Sequence, residues 1–151
     1  MEKELKYGQG LKFPAANTVL NILAFYFIFL FVFTGFSKLT DTQSLYTTLS
    51  NAPLFLNGFL ASFLSLLIPI TEIIIAAMLG YSKTRLVGWI GAILLLTAFT
   101  IYTGYIVMIA PNEPCTCGGL LALLSWKQHL VFNLVSLLLS FLGYHLAKRK
   151  T

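Results

Sequence analysis

Residues Thr18 to Phe36 read TVLNILAFYFIFLFVFTGF, a run of 19 residues without one Asp, Glu, Lys or Arg. A helix needs about 20 mainly apolar residues to cross the hydrocarbon of a bilayer, so this run is long enough to be a span. No small-residue cleavage site of the A-x-A kind follows it, which argues for a retained helix over a cleaved signal peptide. Three more stretches meet the same criterion: Phe55 to Leu79, Leu86 to Ile109 and Leu130 to Leu146, the last extendable backward through Leu120 to Trp126. The whole chain agrees, since 58% of its 151 residues are hydrophobic and only 10% are charged. That is too apolar for one soluble domain to hide.

The predicted fold is therefore all-α, a four-transmembrane-helix bundle forming a single domain over residues 1–151. Of the ten Lys and Arg, Lys3, Lys6, Lys12, Lys83, Arg85, Lys148, Arg149 and Lys150 fall on one side of such a bundle, and Lys38 and Lys127 on the other. Because cytoplasmic loops carry the excess of basic residues, both termini are expected in the cytoplasm. The net charge of +5 reflects this bias. It does not indicate a nucleic-acid surface, since no basic patch interleaves with exposed aromatics. Two loops then face outward. In the first, Ser37 to Leu54, Thr40 or Asp41 is placed to cap a short helix lying on the membrane with Leu45, Tyr46 and Leu49 on one face. The second, Ala110 to Gln128, holds Pro111, Pro114 and Trp126, the last a residue type suited to the bilayer interface.

Both cysteines of the chain sit in that second loop, as Cys115-Thr116-Cys117-Gly118-Gly119. On the outer side a thiol pair meets an oxidising environment. A disulfide across one intervening residue is strained and easily reduced, whereas a structural staple gains most from closing a long loop. The pair reads as an exchangeable dithiol, and the glycines leave room for another protein's sulfur to approach. His129 follows Cys117 by twelve residues, near the outer end of the fourth span, where an imidazole can lower a thiol's proton affinity or carry its proton. Cys115, Cys117 and His129 are three ligands where structural zinc takes four, so no metal is expected.

Polar residues inside the spans follow helical spacing. Gly58, Ser62, Ser65, Pro69, Glu72 and Ala76 form one stripe, and Trp126, His129, Asn133, Ser136, Ser140 and Tyr144 another; Gly88, Gly91, Thr97, Thr100 and Gly104 mark the third span. Such stripes are what membrane helices pack together. Glu72 lies about 25 Å below the outer start of its helix at 1.5 Å per residue, and a carboxylate at that depth must be protonated, paired or wetted. One reading is a proton site or quinone-facing acid. The other is a neutral carboxyl hydrogen-bonded to Ser, Thr or Tyr near a break at Pro69, and on that reading Glu72→Gln folds and works.

The order Gly35-Phe36-Ser37-Lys38-Leu39, Pro69-x-x-Glu72, Cys115-x-Cys117-Gly118-Gly119, Ser125-Trp126-x-x-His129 and Phe132-Asn133 resembles DoxX-like membrane proteins, most closely the MauE branch associated with methylamine utilisation. The resemblance spans residues 18–146. It implies a four-helix bundle in the bacterial inner membrane with a redox-associated role beside a periplasmic thioredoxin-like partner, and it makes quinone a candidate electron acceptor. It also brings Lys38, Glu72, Trp126 and Asn133 forward as binding or bundle-interior polar residues, beside Cys115, Cys117 and His129 as the catalytic candidates. The chain departs from quinone-linked disulfide-forming enzymes in lacking a second cysteine pair, and it carries no thioredoxin domain. The alternative is a non-catalytic membrane subunit or anchor with structural cysteines. A transporter is disfavoured, because one buried carboxylate without a pair of broken helices makes a poor ion path.

Overall fold

A computed structural model describes residues 14–51, 58–109 and 125–149. These form five helices: α1 (Pro14–Thr40), α2 (Thr42–Ser50), α3 (Gly58–Gly80), α4 (Arg85–Ile109) and α5 (Trp126–Lys148). Four contain stretches long and apolar enough to cross a membrane, namely Ala16–Thr40, Gly58–Gly80, Arg85–Met108 and Trp126–Lys148. The 23 residues of α3 amount to about 35 Å of helix, enough for a hydrocarbon core of about 30 Å. The chain is a multi-pass membrane protein. Its outer surface is correspondingly apolar, with Phe25, Phe29, Phe59 and Met108 all exposed. Such a surface is tolerable where the neighbours are lipid tails.

α1 packs along α3 and α4 along α5, and contacts between α3 and α4 join the two pairs. Phe27 of α1 meets Trp89 of α4 edge to face, ring centroids 5.3 Å apart, at the centre of a core that also holds Phe31, Ile75, Leu79 and Leu96. Glycine sets the spacing of this core where backbones must come close. A Cβ on Gly88 would lie 2.9 Å from the Leu79 nitrogen, and one on Gly143 would enter the Trp89 ring.

Three features sharpen or correct the sequence reading. First, α1 does not stop at Phe36 but continues through Lys38 to Thr40, because the four residues after Phe36 stay helical although they are more polar. Second, α2 is N-capped by Asp41, which accepts from the Ser44 amide. The face that carries Leu45, Tyr46 and Leu49 packs on α3, with Leu45 and Leu49 buried in a cluster with Ala61, Leu64 and Ile68. Third, α3 runs unbroken through Pro69. The buried face of α3 is Ala61, Ser65, Pro69, Glu72, Ile75, Ala76 and Leu79, one position away from the expected stripe at its start. Ser62 is exposed and lines an outward apolar groove with Phe59, Phe63, Leu66, Leu67 and Ile70.

The start of α5 follows from its capping chemistry. The Ser125 hydroxyl accepts from the Gln128 amide while the Gln128 side chain accepts from the Ser125 amide at 2.9 Å, a reciprocal capping box. The helix therefore begins at Trp126. Trp126 is the first residue of α5 and is buried, as its place on the polar stripe of the fourth span predicts.

Candidate functional site

The polar interior is built around two seams. In the first, Lys38 of α1 donates to Glu72 Oε1 of α3 in an ion pair whose carboxylate is buried and whose lysine is part-buried. Glu72 is 1% exposed. Local geometry makes the pair possible: Gly35, one turn before Lys38, brings α1 within close contact of the Pro69 carbonyl and the Glu72 Cβ. A larger residue at 35 would hold the two helices apart. The Lys38 ammonium also lies over the Phe99 ring of α4, 4.7 Å from its centroid, so its remaining hydration is replaced by an aromatic face.

The partner of Glu72 is thus a lysine, rather than the serine, threonine or tyrosine expected for a neutral acid. This reverses the expectation for Glu72→Gln, which would leave an ammonium buried without its counter-ion. Glu72 Oε2 has no hydrogen-bond partner among the described residues. Thr34 of α1 stands beside the carboxyl, but its hydroxyl proton goes to the Leu30 carbonyl at 2.9 Å.

The second seam joins α4 and α5 with neutral groups. Asn133 donates to the Thr103 hydroxyl at 3.3 Å, and that hydroxyl donates to the Phe99 carbonyl at 2.7 Å. Phe99 therefore belongs to both seams, its ring under Lys38 and its carbonyl holding Thr103. Trp126 is stacked on His129, centroids 6.4 Å apart with 24° between planes, and meets Tyr102 edge on at 6.5 Å. Tyr26 and Ser136 share a hydrogen bond at 3.4 Å between α1 and α5.

Lys38 and Glu72 meet between α1 and α3, Asn133 lies on the α4–α5 seam, and His129 stands beside Trp126 near the start of α5. Cys115 and Cys117 lie outside the described residues. The helices that flank them meet at Tyr102, Trp126 and His129. Thr34, Phe99 and Thr103 were not singled out from the sequence. Thr103 lies three residues beyond Thr100 and one before Gly104 on a helix apolar on most faces, where small polar residues give little hint of which one points inward. A quinone ring does not fit beside Glu72 as the helices stand, because Oε2 has essentially no accessible surface.

The family described as methylamine utilisation protein MauE matches residues 16–146, nearly the whole described chain. No curated protein and no solved structure matches it.

Proposed function

The chain belongs to the MauE family, and on that premise we propose that it is the membrane-embedded thiol–disulfide component of a methylamine-utilisation system. In this reading both termini are cytoplasmic and the segment between α4 and α5 faces the periplasm of a bacterial cell. A thiolate from the Cys115–Cys117 pair attacks a disulfide of an exported thioredoxin-like partner, giving a mixed disulfide. The second cysteine resolves it, so that the pair is oxidised by two electrons as the partner disulfide is reduced, and the reverse sequence regenerates the dithiol. His129 takes up the thiol proton, and Trp126 holds its ring by stacking.

One observation supports this reading above the others: the two helices tethering the cysteine segment meet where Tyr102 of α4 lies edge-on to Trp126 of α5, and Trp126 in turn lies beside the partly buried His129. An imidazole so held is suited to exchange protons with a nearby thiol. The test is to replace Cys115 and Cys117 singly by Ser, quench cells with acid, alkylate, and run non-reducing gels. One single variant should accumulate a larger, thiol-sensitive species that the double variant lacks, because loss of the resolving sulfur prolongs the mixed disulfide. If neither single variant traps a partner and the double variant is as active as the parent, the cysteines do not exchange and the chain serves as a membrane anchor or subunit.

A further inference from the structure

We propose that the end of the bundle where α3 turns into α4 holds one anionic phospholipid, its phosphodiester on the guanidinium of Arg85 and an acyl chain along Phe25 and Phe29 of α1. The proposal does not depend on thiol turnover, since it concerns the end of the bundle where α1 begins and α5 stops.

Arg85 is held in place by three helices at once. From the start of α4 its Nε donates to the Leu79 carbonyl of α3 at 3.1 Å and its Nη1 to Asn21 Oδ1 of α1 at 3.2 Å, so the side chain has little freedom left to lose on binding. A guanidinium carries five N–H donors in one plane, and these two bonds leave the Nη2 end without a partner among the described residues. The bond to Asn21 lies at the exposed surface. A planar fork fixed in this way matches the spacing of phosphate oxygens, and its preorganisation lowers the cost of binding them.

Charge at this end of the bundle has one sign. Lys83, Lys148 and Arg149 are exposed there, whereas the acidic residues among those described are Asp41, at the cap of α2, and Glu72, inside the bundle. α5 reaches this level because Gly143 sits against the ring of Trp89, one turn after Arg85, and Ala147 lies in the cluster that holds Leu20 and Leu79. A zwitterionic headgroup would bring its own cation among these bases; an anionic headgroup is attracted by them. Free phosphate would satisfy the fork but would leave the apolar surface beside it uncovered. Phe25 and Phe29 follow Asn21 at successive steps of four along α1, so they continue its face toward the middle of the span. They are 73% and 63% exposed. Polar donors at the helix end with an apolar track leading inward from them fit a phospholipid.

The full chain is reconstituted in nanodiscs of phosphatidylglycerol and phosphatidylcholine in equal amounts, released into a mass spectrometer under native conditions, and the lipids that stay bound are counted. The expected result is a single tightly held phosphatidylglycerol per chain. Arg85→Gln should weaken its retention about fivefold or more, the effect of one basic group near a charged surface. Lys83→Gln removes the same charge from a side chain without fixed geometry and should weaken it less. Phe25→Ala leaves Arg85 and its bonds in place and should also weaken retention, which keeps the test decisive if Arg85→Gln does not fold. Excess inorganic phosphate should not displace the lipid. Equal retention of the two lipids by the parent would overturn the proposal, as would equal losses in Arg85→Gln and Lys83→Gln, full retention in Phe25→Ala, or displacement by phosphate.

Discussion

The seam between α1 and α3 and the seam between α4 and α5 solve the same problem in different ways. Both hold polar groups away from water inside a bundle surrounded by lipid. The first does so with opposite charges, Lys38 on Glu72, supported by the ring of Phe99. The second uses neutral hydrogen bonds, Asn133 to Thr103 and Thr103 to the Phe99 carbonyl. The difference lies in what happens when one member is lost. A stranded charge keeps its desolvation cost, whereas a stranded amide or hydroxyl in a membrane helix finds other partners or costs little. The charged seam should behave as an all-or-none unit and the neutral seam as a set of small increments.

Breaking the charged seam should have the largest effect. Lys38→Met leaves a buried carboxylate and Glu72→Gln a buried ammonium, and each should cost about 3–5 kcal/mol of bundle stability. Unfolding in mixed micelles of graded denaturing detergent measures this. The next largest effect should come from the core that both seams share. Gly143→Val puts a branched side chain where the Trp89 ring already lies, and overpacking of this kind costs about 1–3 kcal/mol. The same unfolding assay, with Trp fluorescence as a second reading of ring displacement, checks it. The neutral seam should give the smallest effect: Asn133→Leu removes the bond to Thr103 and should cost about 0.6 kcal/mol, the average for hydrogen bonds between membrane helices, and no more than about 1.7 kcal/mol. A loss at Asn133 as large as that at Glu72 would erase the distinction between the seams.

How much of this could be read in advance depends on the physics of each feature. The spans were legible because length and apolarity are local properties of a run such as residues 18–36. Asp41 and the α2 cap were legible for the same reason. Lys38 paired with Glu72 was not, because the partners are 34 residues apart and a basic residue just after an apolar run is naturally counted with the loop. Only the continuation of α1 to Thr40 turns that side chain inward. The start of the α3 stripe was misread because lipid-facing and bundle-facing positions are both apolar here. Ala61 is buried and Ser62 exposed, and in a bilayer a serine can bond back to its own helix wherever it points.

A double-mutant cycle on the charged seam tests its central role most directly. Lys38→Met, Glu72→Leu and the combination of the two are compared with the parent in the same unfolding assay. If the pair is a buried ion pair closed against solvent, each single variant loses about 3–5 kcal/mol while the double variant loses less than either, since two apolar side chains replace two charges that need each other. If the two losses simply add in the double variant, Lys38 and Glu72 act independently and the account of the seam is wrong.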